Sequence, residues 1–574
     1  MVLGGRRGDN ILRHFHKTGV LRAVALSGAG FFAWVSVLFA FGLSLSVAPA
    51  GAETYLALGP RTEARSNQPE QTQCPEVPLG FKPVPHPPQY AESPFGFLDA
   101  ITYKGEFFSW NKRLPELMQD LRVRWVKGGG LQAFIWKRVQ GKNSDGAYTG
   151  FKWDEYDCLV RYLQANGIEL LANIRATEPE AGAAAGERKV PRLPRDIEQY
   201  KRFVSAVVER YDFDGRDDMP GLRYAVKYWL IEEEPFMRDY WIGTAEDYAT
   251  TLSVAYDAVK SADPEATVIA AALYFDDLGA TTDFAERFFA KLASISSGLK
   301  KYDMLDVHWF FKRIMPPEVQ YRRIVILRDD IWKIERKYFE ETSPFIVTET
   351  TGIYSGETEH AQDLFKRYIY AMSVGAKKVF WTALAASASA PDPFSKGAIV
   401  SRDVSGRLVK RPAYHTYRLM ASRLDGADFE GMTSIENSGG LYVFKVLMAG
   451  RPVWIAWNDN KGGAQYLIKD VPYKRVRVTA VVAAGGSFNA DIIGVEGRSI
   501  RLNLTERPLI IEDETAGAIP IDTEDLYDEP SQGAERPGRT EQRGEGRNGQ
   551  RGRCGDGVCG PVEREKGVCP EDCR

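Results

Sequence analysis

The chain has 574 residues, is 44% hydrophobic and 26% charged, and carries a formal charge of −3. That length exceeds one ordinary domain of roughly 100–200 residues, and so small a charge gives no electrostatic reason to expect a nucleic-acid partner. With 53 Gly and 31 Pro, the composition excludes collagen, coiled coil, polytopic membrane protein and wholesale disorder.

Residues 1–52 read as an export segment. Five basic residues (Arg6, Arg7, Arg13, Lys17, Arg22) precede an apolar run from Val24 to Val47, and the run ends in Ala48-Pro-Ala-Gly-Ala52, which suits a signal peptidase. The run is also long enough to span a bilayer, so an uncleaved anchor is the alternative, and the only expected membrane association. Both place the rest of the chain outside the cytoplasm: secreted, periplasmic or on the cell surface. Residues 53–93 are polar and Pro-rich (Pro75, Pro78, Pro83, Pro85, Pro87, Pro88), without hydrophobic period, and read as a linker.

Residues 94–424 alternate short apolar runs with amphipathic stretches. The runs predict strands at Pro94–Leu98, Val123–Lys127, Glu169–Ile174, Val226–Ile231, Thr267–Ala272, Met304–Val307, Phe345–Thr348 and Lys378–Thr382. Apolar residues at three-to-four spacing predict helices between them, as in Tyr156–Ala165, Tyr200–Tyr211 and Ala245–Ser261. Eight strands with intervening helices predict an α/β protein, a closed (β/α)8 barrel, rather than an open doubly wound sheet. Chemistry in such a barrel sits at the carboxyl ends of the strands. Strand four ends in Glu232-Glu-Glu234-Pro235 and strand seven in Glu349. Opposed carboxylates at a barrel mouth suit retaining glycoside hydrolysis, one attacking the anomeric carbon while the other protonates the leaving oxygen. The bland alternative is a structural ion pair.

The motifs favour the first reading. Tyr228-Trp-Leu-Ile-Glu-Glu-Glu-Pro235 resembles the Trp-x-x-x-Asn-Glu-Pro strand end of glycoside hydrolase clan A, most like family 39 and its β-xylosidase relatives. Asp306-Val-His308 resembles that family's sixth strand, Thr348-Glu349 its nucleophile strand, and Arg411-Pro-Ala-Tyr414 the segment that closes such barrels. The resemblance implies Glu234 as general acid/base and Glu349 as nucleophile. It also implies Glu233, His308, Trp381, Tyr274 and Lys127 as substrate-binding residues, a poly- or oligosaccharide as substrate, and no cofactor for catalysis. One position departs from the pattern. Glu233 stands where the family has Asn, and an ionised carboxylate accepts hydrogen bonds but donates none. The site therefore either serves an unusual glycoside or belongs to a catalytically impaired sugar-binding or cell-surface protein.

Residues 425–512 change period. Leu441–Val446, Pro452–Trp457, Val476–Val482, Ile500–Leu504 and Pro508–Ile511 predict half-buried strands of a small β-sandwich, with Trp454 and Trp457 expected in its core rather than on a sugar platform. Residues 513–553 read as a solvated tether. Residues 554–574 hold four of the six cysteines, with the spacing Cys554-Gly-Asp-Gly-Val-Cys559 and Cys569-Pro-Glu-Asp-Cys573. In an exported chain they predict two disulfides, and Asp556, Glu563 and Asp572 are candidate calcium ligands. Cys158, on a predicted helix, reads as a buried thiol.

Overall fold

The computed structural model describes residues 93–521, except 99–113, 130–131, 181–189, 274–277, 311–316, 386–395, 403–407 and 485. The export segment, most of the linker, the tether beyond residue 521 and the Cys-rich end therefore lie outside the described residues; the first residue assigned to the tether, Asp513, instead ends a strand. So do Tyr274 and the three candidate calcium ligands. No helix among the described residues is long and apolar enough to cross a membrane.

Eight parallel strands form the predicted barrel: β1 (Phe95–Leu98), β2 (Trp125–Lys127), β3 (Glu169–Arg175), β4 (Tyr228–Ile231), β5 (Thr267–Leu273), β6 (Met304–Phe310), β7 (Phe345–Thr351) and β8 (Ala376–Trp381). Each pairs with its neighbours in chain order, β8 returns to β1, and β2 bridges β1 and β3, so the ring has no edge.

Strand alternation divides the side chains. Trp125, Leu171, Leu230, Ile269, Met304, Ile346 and Phe380, one from each of β2 to β8, form a single cluster that fills the barrel. Their sequence neighbours, such as Val126, Ala172, Val347 and Val379, pack outward into the larger core beneath the helices. β1 contributes Gly96 instead. A Cβ there would lie 2.6 Å from Phe380 Cδ1 and 3.0 Å from Trp125 Cβ, so the Phe380 ring takes the space a side chain at 96 would need. Two residues beyond the apolar layer the same inward face turns polar: Lys127 follows Trp125, Asn173 follows Leu171, Asp306 and His308 follow Met304, and Thr348 follows Ile346. The barrel interior thus changes from hydrocarbon to charge along its axis.

The helices start where local chemistry satisfies their first amides. Thr244 and Asp247 close a reciprocal capping box at the start of Ala245–Ala262 (3.1 and 2.9 Å), and Asp196 accepts from Gln199 N at 2.9 Å before Ile197–Glu209. Cys158, on helix Asp154–Ala165, corrects one expectation. It is buried but disulfide-bonded rather than a free thiol, its partner lying outside the described residues.

After helix Pro412–Leu424, antiparallel strands build two sheets. β9 (Ala427–Ser438), β10 (Leu441–Met448), β11 (Arg451–Asn458), β13 (Arg475–Ala480), β14 (Ala490–Gly494) and β16 (Leu509–Asp513) form six strands in the order β9-β10-β11-β16-β13-β14; β12 (Ala464–Ile468) pairs with β15 (Ile500–Leu504). β11 is not half-buried as expected. Trp454 and Ala456 enter the sandwich core, whereas Val453, Ile455 and Trp457 join the core of the barrel. Both faces are covered, which is why the strand reads as a continuous apolar run. Tyr321 and Tyr370, on helices Pro317–Phe339 and Glu357–Ser373, meet Tyr442 at 5.2 and 6.0 Å, and Lys366 pairs with Asp459 at 2.6 Å across the same junction.

Candidate active site

The polar layer at the carboxyl ends of the strands brings Lys127, Glu233, Glu234, His308 and Glu349 into one cluster. Lys127, Asn173, Asp306, His308 and Thr348 arrive there by simple alternation. Glu349 does not. Counted strictly from Ile346 it would point outward, but the register of β7 slips against both neighbours between Val347 and Thr350, and Glu349 pairs with His308. A bulge of this kind re-aims the side chain that follows it. Beyond β4 the backbone takes left-handed φ values at Glu232 (+69°) and Glu234 (+37°), which breaks the alternation and packs three consecutive carboxyl groups at the strand end. Such conformations are costly for residues other than glycine and concentrate at functional sites.

Lys127 is fully buried. Its Nζ donates to Glu233 Oε1 at 2.8 Å and to Glu349 Oε1 at 2.9 Å. The second oxygen of Glu233 accepts from Asn173 Nδ2 at 2.7 Å. His308 is also buried; its Nδ1 meets Glu234 Oε1 at 2.8 Å. Its Nε2 lies 3.2 Å from Thr348 Oγ1, 3.4 Å from Glu233, 3.5 Å from Asp306 and 3.7 Å from Glu349. Glu234 and Glu349 therefore address opposite nitrogens of one imidazole. Asp306 accepts from Thr348 N and Oγ1 at 3.1 and 2.6 Å, tying β6 to β7 below the ring.

These contacts govern the charges. Burial opposes a charged His308, but Glu349, Asp306 and Glu234 outweigh it and hold the ring well above its ordinary pKa. Burial likewise opposes a charged Lys127, and the carboxylates of Glu233 and Glu349 hold it above its usual range. Asp306, despite its burial, is held below the ordinary carboxyl range by His308, Lys127 and Thr348. Glu233 is pushed up by burial and by Glu349, against the pull of Lys127. One oxygen each of Glu233 and Glu349 and a His308 nitrogen lie within 4.8 Å of one another, a spacing that would suit a metal ion. The Lys127 ammonium already stands among these three groups, at 2.8, 2.9 and 3.5 Å, and supplies the cation they surround.

Glu232 serves a different purpose. It is fully buried, accepts Ala176 N through Oε1 at 2.6 Å, and leaves Oε2 without a partner. Burial, reinforced by Glu233 and opposed by Arg175 and the Ala176 amide, pushes its pKa up to about 7. A carboxyl raised in the folded state stabilises the fold fully at acid pH, below its unfolded value; that stability is lost as pH rises towards the folded value. Glu232→Gln keeps the acceptor for Ala176 and removes the ionisation. Its unfolding free energy, read by chemical denaturation, is expected to match the wild type near pH 5 and to exceed it near pH 8 by on the order of 2 kcal/mol. An equal effect at both pH values would contradict the assignment.

Trp381 is not brought to the cluster. With Phe380 facing inward, alternation turns Trp381 out of the barrel: it is fully buried, donates its indole N–H to Gly397 O at 2.7 Å and stacks on His360 at 5.9 Å. Sequence reasoning passed over Asn173 as a site residue, and used Asp306 and Thr348 only as parts of motifs. All three fall on the inward face two residues beyond a barrel-filling side chain, so counting by twos along β3, β6 and β7 would have found them.

Among solved structures, the protein resembles a GH39 enzyme from Xanthomonas axonopodis pv. citri, with a TM-score of 0.51 and 13% identity over 74% of this chain and 94% of that one. It also resembles a glucosidase from Croceicoccus marinus, with a TM-score of 0.50 and 15% identity over 73% of this chain and 95% of that one. No family model matches the sequence, and no curated protein matches it. The likeness is one of fold, and it agrees with the clan A barrel that the strand-end motifs imply.

Proposed function

We propose that the protein is a retaining glycoside hydrolase acting on a poly- or oligosaccharide outside the cytoplasm. The observation that carries this reading is the convergence of Glu234 and Glu349 on the two nitrogens of His308 at the barrel mouth. In the first step a Glu349 carboxylate oxygen bonds to the anomeric carbon, the glycosidic C–O bond breaks, and the departing oxygen takes the proton of Glu234. In the second step Glu234 takes a proton from water, the water oxygen bonds to the anomeric carbon, and the bond to Glu349 breaks. Glu233 is the poorer acid because both its oxygens accept hydrogen bonds, from Lys127 and Asn173. A protonated His308 donates Nδ1–H to Glu234 and so favours the carboxylate formed as the proton leaves.

A second reading, a sugar-binding barrel with weakened hydrolysis, draws on the pairing of Glu349 with Lys127. A panel of aryl glycosides and polysaccharides separates the two: the first expects turnover, with the initial product keeping its anomeric configuration by NMR. Glu234→Ala is then expected to slow release of a poorly acidic alcohol by about 10²–10⁴-fold. It should slow release of an acidic dinitrophenol far less, since that group leaves without a proton. Equal losses on both leaving groups would remove Glu234 from the acid role.

A further inference from the structure

We infer that Lys127 and Glu233 act as one positioning unit, in which Glu233 fixes the Lys127 ammonium and Lys127 orients Glu349 with its charge in place for attack. This rests on the hydrolase reading for its consequence in turnover, but not for its physical content.

A chain of charged contacts runs through the site from Asn173 to Glu233, Lys127 and Glu349, linking the ends of β3, β4, β2 and β7. Each member is constrained from both sides. Asn173, fully buried, holds one oxygen of Glu233, which leaves the other for Lys127. Lys127 has no exposed surface, so a sugar meets Glu349 and Glu234 rather than the ammonium. It therefore acts through Glu349. With Oε1 of Glu349 held by Lys127, Oε2 is the oxygen left to attack.

The pair also accounts for the glutamate at 233. A buried ammonium beside a neutral amide at 233 would lose one of its two hydrogen-bonded carboxylate partners, and a shorter Asn side chain would have to span a greater gap. Conversely, without Lys127 the buried Glu233 would face Glu349 within 4.8 Å, with only His308 Nε2, at 3.4 and 3.7 Å, left to be shared between them. Like charges so close favour a proton on one of them. Among the described residues, His308 on β6 also faces Glu349, at 3.7 Å, and is itself held by Asp306 and Glu234; none of these occupies the Lys127 position. Glutamate at 233 and lysine at 127 thus belong together, and either alone is a defect.

The test compares wild type, Lys127→Met, Glu233→Gln and the double variant. Breaking one side of a buried pair costs more than removing both, so the double variant is expected to melt above Lys127→Met; a Lys127→Met that fails to fold beside a folded double variant meets the same expectation. Ionisation of Glu349 is read without any sugar, by carbodiimide labelling at pH 7 and peptide mass, because the protonated carboxyl is the reactive form. Labelling is expected to rise several-fold in Lys127→Met and to fall back in the double variant. On a glycoside that the wild type turns over, the acid limb of kcat/KM is expected to move to higher pH by about 1–3 units in Lys127→Met and to return part of the way in the double variant. A double variant no more stable than Lys127→Met, or labelling unchanged by that substitution, overturns the inference. Absence of wild-type turnover with the labelling pattern intact overturns the hydrolase reading instead.

Discussion

Glu349→Ala is expected to lower turnover by about 10⁴-fold or more, the scale seen when a covalent nucleophile is removed. Alanine keeps the strand and its bulge but leaves no oxygen to bond to the anomeric carbon. It also strips Lys127 of one of its two carboxylate partners, so part of the loss reflects a displaced ammonium. The two contributions can be told apart. Azide is small enough to enter the space left by the carboxylate and can attack the anomeric carbon directly. Rescue of an activated aryl glycoside by azide, giving a glycosyl azide, is the expected result. A variant that keeps wild-type turnover would place the nucleophile elsewhere.

The second large effect concerns the barrel itself. Phe380→Ala is expected to cost about 3–5 kcal/mol of stability, as ring-to-methyl truncations in close-packed cores do. The ring is fully buried and sits against the space where residue 96 has no side chain. Gly96→Ala, which pushes a methyl into that ring, is expected to cost about 1–3 kcal/mol. Because the two residues compete for one volume, the losses should not add: with the ring gone, the extra methyl fills part of the cavity. Chemical denaturation of the two single variants and the double variant checks this. Strict additivity would mean that Gly96 answers to something other than Phe380.

What the sequence made legible follows from how each feature is encoded. Buried parallel strands are short apolar runs, and all eight were placed to within a few residues, although β6 and β7 run three residues further than expected. Their extensions carry the site, and polar residues such as His308 hide a strand when apolarity is the signal. Edge strands were harder. β9 and β14 lie at the two ends of the six-stranded sheet and are largely exposed, so Ala427–Ser438 and Ala490–Gly494 show no apolar alternation to read. Trp381 was aimed at the mouth because it ends a strand, yet counting from Phe380 turns it outward. Glu349 is the opposite case, where counting fails and a bulge decides. The Glu233–Lys127 contact joins residues 106 apart in sequence. Glu233 read as an anomaly because the residue that completes it lies on another strand.

The measurement that reaches the central claim most directly is a trapped intermediate. A 2-deoxy-2-fluoro glycoside, built on the sugar that the wild type turns over and carrying a dinitrophenolate leaving group, would slow the second step more than the first. Peptide mass after incubation is predicted to show one fluorosugar bonded to Glu349, with none in Glu349→Ala. Inactivation with the sugar bonded to another residue, or turnover of the parent glycoside with inverted configuration and no adduct, would contradict the account.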